Sequence, residues 1–313
     1  MPIVSIRHRT SYRYRNPVAF GEHRMMLRPQ EGFDQRLLAY ELDVSPEPAL
    51  LRQLHDLTDA GVTVARFDVR ADALLIESRA TLDHRPHAAL ELEAADATID
   101  AGRFSYDADE APALAASMGP ADDGETADEV EVWARGFLRP VGRTRLSTVL
   151  SAMTHAVRAD FAYEVREAGP PQPPVVTLQR RRGSCRDFAV LMMAAARRLG
   201  LAARFASGYV YGESQGSGRD KGEGGGHGHT HAWVRVYLPG CGWADFDPTN
   251  GLIGGAGLIR VAAAPDPKLT LPLHGAWRGL RADFLGMEVE VEIEVQRDAA
   301  RQPAALLRVA GSG

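Results

Sequence analysis

Arg182-Gly183-Ser184-Cys185-Arg186-Asp187-Phe188 opens a run that keeps a helical apolar spacing as far as Leu199 and stops at Gly200. Phe188, Leu191, Met192, Ala195 and Leu199 fall on one stripe, so residues from about Arg186 to Leu199 are expected to form a core helix. Gly200 is the residue type that ends one. Cys185 stands at the helix start, where a thiolate meets the positive end of the dipole and free backbone N–H groups. Both lower a thiol pKa. Arg186 and the arginines at 180 to 182 add positive potential, and Gly183 permits a tight backbone approach. The Cys185 N–H is placed to face a developing oxyanion.

Further along, His231-Ala232-Trp233-Val234-Arg235-Val236-Tyr237-Leu238 alternates like a strand. Ala232, Val234, Val236 and Leu238 suit a core, so His231 points from the opposite face at the strand's start. Pro239-Gly240-Cys241-Gly242 turns the chain, and Trp243-Ala244-Asp245-Phe246-Asp247 returns as the partner strand. A turn of this length brings an aspartate beside or diagonal to His231. Asp247 is nearer the hairpin's open end than Asp245, which shares its face. Spacing alone leaves both in play. Together these residues offer a nucleophile, a base and an orienter: Cys185, His231 and Asp247.

Three separated stretches carry a resemblance to a known family. Gly183 to Ala189, Arg198 to Arg204 with Ser207-Gly208-Tyr209, and His231-Ala232-Trp233 with Gly242-Trp243 through Asp247-Pro248-Thr249-Asn250 are similar to the core of bacterial transglutaminase-like proteins, in the same order. Arg7 to Tyr14 and Leu27-Arg28-Pro29 resemble the β-rich N-terminal region of that family. The resemblance implies a papain-like α+β core and a Cys185, His231, Asp247 triad acting through a thioester. It implies no metal and no organic cofactor. Two places depart from the pattern: the Gly-rich stretch 212–230, and Ala263-Ala264-Pro265-Asp266-Pro267, so substrate preference does not carry over.

The rest of the chain frames that core. Ile3 to Tyr14, Leu37 to Val44, Val62 to Val69 and Ala73 to Leu82 are expected strands, and without intervening helices they suggest a sandwich-like module. The fold class is therefore α+β: residues 1–95 a β-rich region, 96–124 a linker, and 125–313 the catalytic core with C-terminal strands. Thr126 and Ser147 are expected to cap two helices. Glu288 to Val295 alternates as a half-buried strand.

Function classes narrow from composition. A formal net charge of −5 over 313 residues argues against nucleic-acid binding, and no apolar run has the length to span a bilayer. Two cysteines make no disulfide framework, and a cytoplasmic setting is expected. His227, His229 and His231 form His-x-His-x-His but lack further ligands, so no metal site is expected. Gln179 is expected on the surface. The expected activity is acyl transfer on a peptide or protein substrate, with hydrolysis favoured over amine transfer because water is always available. The alternatives are protein-glutamine gamma-glutamyl transfer and a non-catalytic peptide-binding module. The N-terminal β-region is the expected place for a protein partner.

Overall fold

The computed structural model describes residues 2–86, 97–100, 102–119, 127–166, 169–212 and 229–296. Val4, Ile6, His8 and Thr10 are buried at alternate positions, and that two-residue period begins one long strand, β1 (Ile3–Met25). The sequence breaks this strand at Asn16-Pro17, yet it continues. Its pairing with β5 (Arg70–His84) slips between Arg13 and Val18, so Pro17 falls in a bulge, where no ladder donor is required. With β2 (Gln35–Ser45), β3 (Leu50–His55) and β4 (Gly61–Arg66), these strands give the order β2-β5-β1-β4-β3. The N-terminal region is strand-rich as expected, its strands forming a half-barrel sheet.

The next stretch supplies β6 (Thr98–Ile99), α1 (Glu110–Met118), α2 (Ala127–Arg135), β7 (Thr144–Arg145), α3 (Leu146–Asp160), β8 (Ala162–Tyr163), α4 (Pro174–Arg180), β9 (Arg182–Gly183) and α5 (Cys185–Arg198). Helix α1 lies inside the expected linker, where Leu114 is buried against Tyr106 and Ala202. Ser147 is not a cap, because α3 already begins at Leu146.

A five-stranded sheet follows, built from β10 (Ala203–Val210), β11 (His229–Leu238), β12 (Gly242–Asp247), β13 (Leu252–Ile253) and β14 (Leu258–Ala264) in the order β13-β12-β11-β10-β14. Leu191, Met192 and Ala195 of α5 share one core with Val234, Val236 and Phe246. Strand β11 is buried on both faces, since Trp233 and Val234 are each 0% exposed. The chain then returns to its start: β15 (Leu273–Arg278) and β16 (Phe284–Gln296) both pair with β1. The C-terminal strands grouped with the core in the sequence division therefore complete the N-terminal sheet. Val4, Ile6 and Leu82 pack with Tyr209, Ile259 and Val261 in a core shared by the two sheets.

Candidate active site

Every residue of the Gly183–Asp187 stretch has a mechanical reason to be there. Asp187, at the third position of α5, accepts the Ser184 backbone N–H at 2.8 Å and the Ser184 hydroxyl at 2.9 Å, both through Oδ2. Closing that box draws Asp187 against Gly183, where an added Cβ would lie 2.8 Å from the Asp187 Cβ. Its other oxygen takes the Arg166 guanidinium and the Gln172 N–H, each at 2.7 Å. The Arg186 side chain donates to the Gly169 and Arg166 carbonyls at 3.0 and 2.7 Å. It anchors the preceding loop besides contributing charge. The first turn of α5 is thus fixed from several sides, and Cys185 sits on it half-buried.

His231 and Asp247 meet as the hairpin suggested. The His231 Nε2–Asp247 Oδ2 separation is 2.8 Å, with Asp247 0% exposed. Asp247 also accepts the Asn250 side-chain amide on Oδ2 at 2.7 Å, and on Oδ1 the backbone N–H groups of Thr249 at 2.9 Å and Asn250 at 3.3 Å. The Asp-Pro-Thr-Asn turn after β12 therefore supplies donors that keep the carboxylate ionised and aimed. Asp245 is differently occupied. It takes the Trp233 indole N–H at 2.7 Å and lies 3.0 Å from Arg235 Nε. The Trp233 it holds stacks on the His231 ring, centroids 6.1 Å apart at 19°.

The two reacting groups shift each other. Burial alone pushes the Cys185 thiol up, but a hydrogen bond to His231, the charge on that ring and the Ala232 backbone N–H outweigh it, and the thiol lies below its ordinary range. Burial likewise pulls His231 down, while Asp247 and then Cys185 hold its proton on, raising the ring to about 10. Asp247 stays depressed despite its burial because the imidazolium faces it. With Nε2 engaged by Asp247, the nitrogen left for the sulfur is Nδ1. Each charged form supports the other, so the pair shifts toward Cys185 thiolate and His231 imidazolium relative to the isolated groups.

One neighbour escaped the sequence reading. The Tyr163 hydroxyl hydrogen-bonds Cys185, and burial together with the thiolate's charge pushes that phenol up to about 12. The signal was the Phe161-Ala162-Tyr163 alternation, obscured because Phe161 also suits the helical spacing of α3. Gln179 is exposed near the end of α4, as expected, and its side-chain amide donates to Glu129 at 2.9 Å. Cys241 makes no disulfide with Cys185. His227 lies outside the described residues, and His229 is exposed at the start of β11.

Residues 137–248 match the family model of the transglutaminase-like superfamily, and residues 4–83 match the bacterial transglutaminase-like N-terminal region. An uncharacterised Mycobacterium tuberculosis protein is 28% identical over 279 residues, covering 86% of each chain. A Mycobacterium leprae protein, also uncharacterised, is 29% identical over 114 residues, 36% of this chain and 39% of that one. Among solved structures, a candidate cysteine protease from Cytophaga hutchinsonii shares the fold with a TM-score of 0.64 at 16% identity. It covers 94% of this chain and 98% of its own.

Proposed function

As the chain belongs to the transglutaminase-like superfamily, we propose that it is a cysteine-dependent acyl-transfer enzyme in which Cys185 attacks the carbonyl carbon of a peptide or side-chain amide. The observation that carries this reading is the 2.8 Å His231–Asp247 pair beside a half-buried Cys185 at a helix start. The Cys185 thiolate forms the C–S bond while the carbonyl oxygen takes up charge. The Cys185 N–H, at the first position of α5, has no acceptor within its helix and is free to stabilise that charge. His231 gives its proton to the departing nitrogen, the C–N bond breaks, and a thioester remains. The neutral ring then takes a proton from water, whose oxygen attacks the thioester. Cys185 leaves as thiolate and the acid is released.

Asp247 holds the ring's orientation and supports its charged form through both halves of the cycle. Hydrolysis is favoured over transfer to an amine, because water is always available and the groups acting on the sulfur are Tyr163, His231, the Ala232 backbone and Asp247, the last already committed to the His231 ring. The site needs no cofactor for these steps.

The test is to incubate the protein with a peptide library, with and without a primary amine, and read masses. Paired fragments mark proteolysis, a one-unit gain marks deamidation, and an amine adduct marks transfer. Cys185→Ala should abolish each. A protein whose Cys185 reacts with iodoacetamide no faster than an ordinary thiol, at a rate that His231→Ala leaves unchanged, is not this enzyme.

A further inference from the structure

The short strand β8 pairs in parallel with β9, Ala162 opposite Arg182 and Tyr163 opposite Gly183. The Ala162 N–H donates to the Arg181 carbonyl and the Glu164 N–H to the Gly183 carbonyl, both at 2.8 Å. Because strand groups alternate in direction, the N–H and C=O of Tyr163 point the other way, off the outer edge of β8. No second strand pairs with that edge among the described residues.

The edge lies close to the nucleophile. Gly183, opposite Tyr163, is two residues before Cys185, and the Tyr163 ring packs edge-on to Phe188 of α5 with centroids 6.4 Å apart. The strand is also held rigidly to that helix. Arg186 binds the Arg166 carbonyl at 2.7 Å, and Arg166 binds Asp187 at 2.7 Å, so the chain leaving β8 is tied to the turn bearing Cys185. Val165 is 72% exposed and Tyr163, its hydroxyl turned to Cys185, still 45% exposed, so an apolar side chain and part of an aromatic ring at alternate positions remain open beside the site.

We infer that the acyl donor is a polypeptide in extended form, seated as an added strand on the outer edge of β8 and held by the N–H and C=O of Tyr163. This deepens the proposed function and rests on Cys185 being its nucleophile. Main-chain pairing supplies the affinity, and Tyr163 and Val165 provide apolar contact for alternate donor side chains. A small free amide lacks the repeating backbone groups such an edge recognises.

The experiment compares two alkylating probes on Cys185: acetyl-trialanyl chloromethyl ketone, which carries a peptide backbone, and iodoacetamide, which does not. Each forms a C–S bond to the thiolate with loss of halide. The quantity read is the ratio of the two rates in the same protein, so any change in sulfur reactivity divides out. Wild type should favour the peptidyl probe. Tyr163→Pro removes the outward N–H, which β9 does not use, and should lower the ratio about ten-fold, the worth of one or two paired bonds. Tyr163→Ala and Tyr163→Phe keep that N–H and should lower it far less.

A second arm needs no variant. Probes N-methylated at each alanine in turn should lose the same advantage on wild type at the one position that pairs. Equal ratios in Tyr163→Pro and Tyr163→Ala, no sensitivity to methylation, or no peptidyl advantage in wild type each overturn the docking. Failure of Cys185 to react selectively with either probe overturns the underlying enzyme reading instead.

Discussion

Two aspartates on one face of β12 do different work, and their partners separate them. Asp247 bonds the His231 ring, whereas Asp245 is taken up by Trp233 and Arg235. Asp247 acts on Cys185 in two opposing ways: its charge repels the thiolate directly, and it sustains the imidazolium that attracts it. The imidazolium's influence on the sulfur is the larger, so losing Asp247 should raise the thiol. Asp247→Asn is therefore expected to move the pH profile of Cys185 alkylation upward by about one unit. Asp245→Asn should leave the profile in place and cost roughly 1–3 kcal/mol in urea unfolding, from one weakened buried bond and one broken ion pair. Equal shifts from both variants would refute the assignment. Cys185 and His231 were legible in the sequence because each announces itself locally, one by a helix start and one by a strand start. Choosing between the aspartates required the register, Arg235 opposite Asp245 and Val234 opposite Phe246, which alternation does not contain.

The element that carries His231 depends on a neighbour with no side chain. Strand β10 places Gly208 opposite His231 on one side, and on the other its register against β14 shifts between Ser207 and Gly208. An added Cβ at Gly208 would sit 1.9 Å from the Ile259 carbonyl oxygen and 3.0 Å from the Val261 nitrogen. Both are backbone atoms, so rotating a side chain gives no relief. Gly208→Ala is expected to destabilise the protein by about 3 kcal/mol and, by pushing β10 out of register, to slow Cys185 alkylation. Chemical unfolding and the iodoacetamide rate check the two parts. A variant of unchanged stability would show that the bulge absorbs a methyl group. Elements of this kind were unevenly legible. Helix α5 was read within a residue because a 3.6-residue stripe, a start and a stop all agreed. Strand β8 was not, because two residues are too few to show a period, and its existence depends on β9 lying alongside.

At the scale of the whole molecule, the half-barrel and the core are joined through buried polar pairs as well as apolar packing. Sequence patterning predicted that β16 alternates, but not that it returns to β1, Ile3 opposite Gln296, because alternation names a face and not a partner. The same closure brings His8 and His84 of the N-terminal sheet onto Tyr209 and Tyr211, His8 Nδ1 at 2.9 Å and His84 Nδ1 at 2.6 Å from the phenol oxygens. Burial lowers both histidines to about 4, so the folded protein keeps them neutral where an unfolded chain binds protons. Their folded pKa values lie below the ordinary 6.5, so their stabilising effect is complete above 6.5 and drains away as pH falls through 4. Each shift is worth about 3 kcal/mol when fully expressed. His231 works in the opposite sense, its stabilisation complete below 6.5 and lost toward 10, so it cannot produce an acid loss in this window. Asp34, held down to about 2 by Arg260 despite burial, acts only below the window. Urea midpoints are therefore expected to fall steadily between 6.5 and 4, and His8→Gln to remove part of that slope, with His84 and the likewise burial-lowered His23 supplying the rest. An identical slope in wild type and variant would mean that the acid sensitivity of the joint between the sheets comes from groups other than these histidines.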